Sequence, residues 1–423
     1  MLNRTIVPEF RGIDELTLIR PQEIQLDNGC KIFSFNSGGQ ELVRLEWIFN
    51  NLNFNPAKPL SNAAVNSLLT EGTNTRTSAQ IADEIDFYGA FLQVEYGADH
   101  SQITLYTLNK HLAATLPVIK DLLVNAAFPE KELQIYIRNQ QQKLQVSLKK
   151  NDVLGRRNFN KALYPGSIYG FSAEAEDFAQ INQDDLKLHF EQQYQPANCT
   201  LVVAGKVNES TLAIISEEFS NWQNRITADF TRPDVKKADP EFIFIEKPEA
   251  LQSAIRLGFA SINRTHPDFP GLQVLNTVLG GYFGSRLMAN IREDKGYTYG
   301  IGSALASSKK TGTFFIATEV GAEVCRAAVQ EIEKEINLLK TVLIEDDELS
   351  LVRNYMMGSL LGSLENVFSH ADKFKNVYFP GLDYDYYELY TKTVQQITPE
   401  QLKDLANKYF DWEGFTKVIV GKY

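Results

Sequence analysis

Hydrophobic and polar positions alternate along the first 150 residues in patterns typical of short strands and amphipathic helices. The predicted elements are two strands within 27–50 joined by a turn at Gly38-Gly39, helices at about 59–70 and 78–89, strands through 91–108, and helices near 111–125 and 130–150. Strands and helices in this order predict a mixed β-sheet with helices packed on it.

Several segments recur in the same order in the second half of the chain. TLVVAGKV at 200–207 matches TKVIVGKY at 416–423, and the offset from Thr200 to Thr416 is 216 residues. Each follows a capped, amphipathic helical segment, INQDDLKLHF from Ile181 and ITPEQLKDLA from Ile397. Further matches join 131–139 to 347–354 and, at a somewhat shorter offset, 42–50 to 253–261. The sequence therefore predicts an internal duplication.

The predicted fold class is α/β (α+β), with two homologous repeated domains that each hold a mixed β-sheet with helices packed on it. The expected domains are 1–218 and 241–423. The segment 219–240 is polar and contains two prolines, as expected of a linker.

Composition and charge exclude several functions. Hydrophobic residues make up 43% and charged residues 22% of the 423 residues, which is ordinary for a protein with sizeable cores. With 42 basic and 53 acidic residues the net charge is −11, so we expect no nucleic-acid partner and no membrane attachment. The three cysteines are far apart in the sequence and support neither a disulfide framework nor a cysteine-based zinc site. The N-terminal residues contain no apolar run of signal-peptide length, so the expected location is the cytoplasm.

Two long segments carry a family resemblance. The run from Leu68 to Leu108, which includes Glu71-Gly72-Thr73, resembles the first domain of the pitrilysin/insulinase-like (M16) zinc peptidases. The run YGFSAEAEDFAQINQDDLKLHFEQQYQPANCTLVVAGKV resembles the end of that domain. The resemblance extends over nearly the whole chain, and it implies a duplicated peptidase fold.

The zinc motif of this family is missing. Active members carry His-x-x-Glu-His on a helix just before the Gly-Thr element, where two histidines bind zinc and the glutamate is the base. The matching positions here hold Ala63, Asn66 and Ser67 in place of the histidines and the base. The family also implies a glutamate ligand on a later helix, and the segment 133–151 contains no acidic residue. We therefore expect no zinc or other cofactor in this chain.

The second copy keeps a different family signature. VLGGYFGSRLMANIREDKGYTYGIGSA (278–304) resembles the glycine-containing loop and the Ile-Arg-Glu-x-x-Gly-x-x-Tyr element of the second domain. The resemblance implies that Arg292 and Tyr299 contact the substrate and its transition state. It also implies a substrate-binding loop, formed by Gly280, Gly281, Gly284, Ser285 and Arg286.

Each of these residues also has a structural explanation. The glycines could end a helix and form a turn. Arg286 and Arg292 could be solvated residues on a helix face. Tyr297 and Tyr299 could be strand residues whose rings pack in the core. Glu71-Gly72-Thr73 is predicted to be a turn. The acidic clusters 174–177 and 345–348 are predicted to be solvated helix starts without a chemical role.

The resemblance leaves two functions open. In the first, the chain is the non-zinc subunit of a heterodimeric metallopeptidase, similar to bacterial two-chain enzymes and, more distantly, to mitochondrial processing peptidase. Its partners would be a homologous subunit that carries His-x-x-Glu-His and zinc, and an unfolded or extended peptide. In the second, the chain is a proteolytically inactive structural or binding protein, like the core subunits of the respiratory bc1 complex. A self-sufficient enzyme of another chemistry has no motif to support it.

Overall fold

The structure, a computed structural model, describes residues 16–423 except residues 227, 229 and 232. It contains two β-sheets. The first sheet is formed by β1 (Gln22–Gln25), β2 (Lys31–Asn36), β3 (Leu42–Asn50), β4 (Phe91–Tyr96), β5 (His100–Leu108) and β6 (Cys199–Gly205). The second is formed by β7 (Phe242–Glu246), β8 (Gln252–Ser261), β9 (Thr298–Ser307), β10 (Gly312–Gly321) and β11 (Thr416–Gly421).

The two sheets have the same topology. The first has the strand order β1-β2-β6-β3-β5-β4, and the second has the order β7-β11-β8-β10-β9. Apart from the extra β1, each sheet consists of one parallel pair, β2 with β6 or β7 with β11, followed by three antiparallel pairings. The prediction of two homologous α/β repeats with mixed sheets is confirmed.

Fourteen α-helices accompany these sheets in the described part of the chain. Those of the first copy are α1 (Ser61–Leu68), α2 (Ser78–Phe87), α3 (Leu112–Asn125), α4 (Glu130–Ser147), α5 (Asn151–Leu163), α6 (Ala175–Ala179), α7 (Gln183–Gln193) and α8 (Glu209–Ser220). Those of the second copy are α9 (Phe269–Asn276), α10 (Cys325–Thr341), α11 (Asp346–Gly362), α12 (Val367–Tyr378), α13 (Asp385–Gln396) and α14 (Pro399–Tyr409). In the described residues, no helix is both long and apolar enough to cross a lipid bilayer.

Two details differ from the sequence prediction. The strands on either side of Gly38-Gly39 do not pair with each other, because β6 lies between β2 and β3. The helix predicted near 130–150 stops at Ser147, and α5 begins at Asn151. The domain bounds stay a prediction: α8 ends at Ser220 and β7 begins at Phe242, on either side of the proposed linker. Residues 1–15 of the first proposed domain and residues 227, 229 and 232 of the linker lie outside the described residues.

One helix of each copy packs on the sheet of the other copy. Helix α5 lies on β8 and β11, where Phe159 and Leu163 join one buried cluster with Val418 and Val420. Helix α12, which matches α5 in the duplication, lies on β2 and β6 of the first sheet. There its aromatic rings meet those of the strand, with the Phe33 and Phe374 centroids 4.7 Å apart. Both faces of the central strands are therefore covered, and all seven residues of β6 are buried.

Buried charges fix α12 on the first sheet. The Arg44 guanidinium lies 3.0 Å from the Glu46 carboxylate and 2.8 Å from the Asp372 carboxylate. Lys375 pairs with both carboxylates. Burial opposes the ionisation of Asp372, but Lys375 and Arg44 outweigh it and hold the pKa of that carboxyl below its usual value. Four alternating charges thus join the two copies.

Two cysteines that are far apart in the sequence lie side by side. Cys30 and Cys199 directly precede Lys31 and Thr200, which are register partners in the parallel pair of β2 and β6. Both thiols are buried and free, as is Cys325. Burial, together with the hydrogen-bonded Cys30 thiol, raises the pKa of Cys199 well above its usual value. These cysteines therefore have the character of packing residues.

Candidate functional site

Helix α1 holds the positions that match the zinc motif. Asn66 occupies the position of the base and is 1% exposed, and its amide donates to the Tyr194 hydroxyl at 3.3 Å. Ser67 hydrogen-bonds with Tyr136 of α4. Ala63 has no donor atom, and an asparagine amide cannot accept a proton at neutral pH. In the described residues, no group of three His, Cys, Asp or Glu side chains is placed to hold a metal ion.

A buried polar network stands directly beneath these positions. The His189 Nε2 donates to the amide oxygens of Asn62 and Gln193, at 2.5 and 3.1 Å. Gln193 in turn donates to Asn51 and Ser101. Burial lowers the pKa of His189 to about 4, although the hydrogen bond to Gln193 acts in the opposite direction. His189 is therefore a neutral structural histidine that joins α7 to α1.

This histidine predicts a pH dependence of stability. Its folded pKa lies below the unfolded value of about 6.5, so the unfolded chain binds the extra proton between these two pH values. The free energy of unfolding should therefore fall by about 3 kcal/mol as the pH drops from 6.5 to 4. Urea unfolding at several pH values measures this slope. His189→Gln removes the titrating group and should flatten the slope, and an unchanged slope in that variant would contradict the assignment.

The Glu71-Gly72-Thr73 element forms a turn. Gly72 and Thr77 bridge across it, and the Thr73 hydroxyl donates to the Asp121 carboxylate at 2.6 Å. Arg76 also pairs with Asp121, at 2.8 Å. Burial acts against ionisation of Asp121, but these hydrogen bonds together lower its pKa. The element serves to hold α2 and α3 together.

The glycine loop of the second copy lies between two π-helical segments. The first, Thr277–Gly281, continues α9, and the second, Met288–Asp294, follows the loop. Both are wider than an α-helix, and such segments are rare and frequent at functional sites. A Cβ atom at Gly280 would lie 2.6 Å from the Ser303 hydroxyl and 2.7 Å from its backbone nitrogen, so only glycine allows β9 to approach this closely.

Arg292 and Tyr299 come together beside this loop. The Arg292 guanidinium carbon lies 5.9 Å from the centroid of the Tyr299 ring and 4.6 Å from that of Phe283. The Tyr299 ring is 93% exposed, so it is not a core residue of the strand. Neither the Arg292 side chain nor the Tyr299 side chain makes a hydrogen bond or an ion pair with any residue that the structure describes. Their donors are therefore available to another molecule.

The backbone on either side fixes both residues. Met288 and Ile291 are buried and anchor the second π-helical segment, and Asn290 donates to Glu331 and Glu335 of α10. Gly296, with φ of +67°, turns the chain into β9. The Thr318 hydroxyl then donates to the Gly300 carbonyl, next to a bulge in β9 where Tyr299 and Gly300 lie opposite the single residue Glu319 of β10. Such a bulge redirects a neighbouring side chain, here that of Tyr299, away from the sheet.

Arg286, another predicted loop residue, has a side-chain partner inside the chain. The Arg286 guanidinium forms a bidentate ion pair with Glu348 of α11, at 2.8 and 2.7 Å. Glu348 belongs to a cluster predicted to be merely solvated, and this part of that prediction is wrong, because the ion pair ties the loop to α11. Ser285 is 1% exposed. Gly281 and Gly284 lie at either end of a turn in which Tyr282 is half-buried and Phe283 is exposed. The substrate-binding role of these residues stays a prediction.

Phe283 is a residue of this site that was not predicted from the sequence. This ring is 65% exposed and lies on the Arg292 guanidinium, so it belongs to the same surface as Tyr299. A large apolar residue between Gly281 and Gly284 was the available signal, since an exposed turn does not need one for packing. We call Phe283, Arg292 and Tyr299 the Arg/Tyr cluster.

This geometry places the protein among peptidase-like chains with two copies of one fold and no zinc motif. Residues 180–356 match the family described as "Peptidase M16 inactive domain". The chain is 28% identical over 312 residues to YmxG, an uncharacterized zinc protease of Bacillus subtilis. The aligned region covers 72% of this chain and 74% of that protein. The chain is also 22% identical to a Helicobacter pylori protein described as a non-peptidase homolog, across 84% of this chain and 82% of that protein.

Solved structures share the fold. A peptidase M16 inactive domain from Pseudomonas fluorescens superposes with a TM-score of 0.86 at 21% identity, across 95% of this chain and 98% of that one. A Helicobacter pylori protease superposes with a TM-score of 0.87 at 17% identity, across 96% of this chain and 100% of that one. The resemblance to the M16 peptidases is therefore confirmed by the match of residues 180–356, and one of the similar proteins is described as a non-peptidase homolog.

Proposed function

We propose that this chain is the non-zinc subunit of a heterodimeric metallopeptidase. The observation that carries the proposal is the Arg/Tyr cluster: Tyr299 is almost fully exposed and Arg292 lies over its ring, although neither residue stabilises the fold through a hydrogen bond within the described residues. A partner with His-x-x-Glu-His would supply zinc and the general base. This chain would supply contacts to the peptide and its transition state.

The chemistry fits the two side chains. Hydrolysis of a peptide bond places negative charge on the carbonyl oxygen, and a phenol that donates a hydrogen bond stabilises this charge. The guanidinium carries five N–H donors and can bind the peptide carbonyls on either side of the scissile bond. The Phe283 ring makes a cation–π contact with the Arg292 guanidinium, and it offers an apolar surface to a substrate side chain.

Zinc itself does not fit the matching positions of this chain. Ala63, Asn66 and Ser67 provide no imidazole or carboxylate, so no step of the reaction involves a metal held by α1. We expect the chain, purified without an affinity tag, to contain much less than one zinc per molecule by elemental analysis. About one tightly held zinc per chain would contradict this expectation.

Reconstitution tests the proposed pairing. We expect the chain alone to show no turnover of an unfolded peptide, and we expect turnover when a zinc-bearing M16 subunit from the same cell is added. Titrating one subunit into the other should give a defined stoichiometric end point. Full activity of the zinc-bearing subunit by itself would refute the pairing. Chelator-sensitive turnover by this chain alone would refute its assignment as the non-zinc subunit.

An inactive binding protein is the second candidate. Two observations favour it: a Helicobacter pylori relative is described as a non-peptidase homolog, and Arg286 of the loop is already bound by Glu348. Such a protein would form a complex without any kinetic role for the Arg/Tyr cluster. The two candidates therefore differ in what a substitution at Tyr299 does to the assembled complex.

A further inference from the structure

A cavity lies beside the glycine loop. It has a volume of about 290 Å³ and lies among α9, β9, α11, α12 and α13. Asn276 and Thr277, where α9 passes into the π-helical segment, form one wall. Tyr355 on the α11 wall is in contact with Tyr282 of the loop, with ring centroids 4.9 Å apart. The cavity is therefore in direct contact with the segment that leads to the Arg/Tyr cluster.

The charge in this cavity is positive. Arg264 and Lys373 line it, and its described lining contains no aspartate or glutamate. Asp372 is adjacent to Lys373 in the sequence, but its carboxylate makes its hydrogen bonds and ion pairs with Arg44 and Lys375. Two cations therefore share a concave site without a carboxylate partner in its wall, in a protein whose net charge is −11.

Both cations have donors that are not used. Arg264 donates to the Asn376 carbonyl at 2.6 Å, but its buried Nε has no hydrogen-bond partner among the described residues. The Lys373 ammonium makes no hydrogen bond or ion pair in the part of the chain that the structure describes. Burial and the neighbouring Arg264 lower the pKa of Lys373, and the charge of Asp372 opposes this shift only in part. An anion would relieve both effects.

Neutral donors complete the site. Tyr390 and Ser359 line the cavity and carry hydroxyl groups, whereas the Tyr386 hydroxyl already donates to Gln273 at 3.1 Å. Leu305 and Met356 give the lining an apolar part. Ligand sites typically combine such an apolar surface with a few convergent polar groups.

We propose that this cavity is a binding site for a small anion that carries a carboxylate or phosphate group, held by Arg264 and Lys373. The volume admits a short ligand or the end of a peptide and excludes a folded partner. Because Tyr355 and Thr277 contact the loop segment, an occupied site would also stiffen the glycine loop. The proposal concerns the isolated chain and does not depend on a zinc-bearing subunit.

The test measures binding to the full chain at constant ionic strength. Succinate, inorganic phosphate and a pentaalanine peptide with a free C-terminal carboxylate are the probes. The C-terminal amide of the same peptide is the matched control. We expect at least one anionic probe to raise the melting temperature in a saturable way and to give a binding isotherm by calorimetry. The amide should do neither. The relative affinities for phosphate and for the carboxylate probes show which of the two anionic groups the site binds.

Two variants locate the site. Lys373→Met and Arg264→Gln should each weaken the binding by at least tenfold, since each removes a charge-assisted donor. Lys373→Met should leave the melting temperature of the free chain unchanged or higher, because the charge it removes is poorly accommodated there. Lys392→Met changes an exposed lysine in another cavity and should bind like the wild type. Absence of saturable binding by all three probes, or equal binding by the wild type and both site variants, would overturn the proposal.

Discussion

Tyr299→Phe is expected to lower the turnover of the reconstituted peptidase pair by about a hundredfold, the range observed when one donor to a developing oxyanion is removed. The substitution deletes a single hydroxyl from a ring that is 93% exposed. Because this hydroxyl has no partner in the described part of the chain, the melting temperature and the assembly of the pair should not change. Steady-state kinetics and thermal unfolding of the same preparations provide both measurements.

Tyr297→Phe is the matched control for this experiment. It removes a hydroxyl two residues away, from a ring that packs against the core of the second copy, and it should retain normal turnover. Arg292→Ala should weaken peptide binding as well as turnover, because a charge-assisted donor is lost. If Tyr299→Phe turns over like the wild type while the pair assembles normally, the Arg/Tyr cluster has no catalytic role. The inactive binding protein would then be the better description.

Arg44→Met is expected to destabilise the chain by about 3 kcal/mol, because it leaves carboxylates in a buried site without their guanidinium partner. Glu46 is 2% exposed and cannot be solvated where it lies. Lys375 remains beside it, so the expected loss is at the lower end of the range for a broken buried pair. Urea unfolding at neutral pH measures the change in the free energy of unfolding.

A surface pair provides the comparison. Lys206 and Glu41 also form an ion pair, but their side chains are 43% and 60% exposed. Lys206→Met should therefore cost less than about 1 kcal/mol. Equal effects of Arg44→Met and Lys206→Met would mean that the charges between α12 and the first sheet do not stabilise the contact between the two copies.

Local pattern and repetition were sufficient to predict much of the fold. The strand at 200–207 and its counterpart at 416–423 are short apolar runs, and both occupy the same place beside a parallel partner. Helix α14 begins with a capping box at Thr398 and Gln401, a signal that lies within four residues. Such features depend on neighbours in the sequence, and for that reason the sequence reveals them.

Features that depend on distant contacts could not be predicted in this way. Nothing within residues 31–50 indicates that β6 lies between β2 and β3, because a strand some 150 residues later provides the hydrogen bonds. The ion pair of Arg286 with Glu348 likewise joins residues 62 positions apart. The site follows the same rule: the spacing of Arg292 and Tyr299 is visible in the sequence, whereas the contact of Phe283 with Arg292 depends on how the loop folds.

The reciprocal placement of α5 and α12 has a consequence for the origin of this chain. A protein with only one copy would expose the sheet face that its own helix cannot reach, and a second molecule would have to cover it. Its simplest stable form is a homodimer in which each subunit lends a helix to the other, as in domain swapping. Fusion of two such genes turns that exchange into an intramolecular contact with a high effective concentration. Once joined, the two copies no longer needed identical surfaces and could diverge. Arg44 has carboxylate partners, whereas Arg256, its counterpart in the second copy, lies on the rings of Phe159 and Phe315.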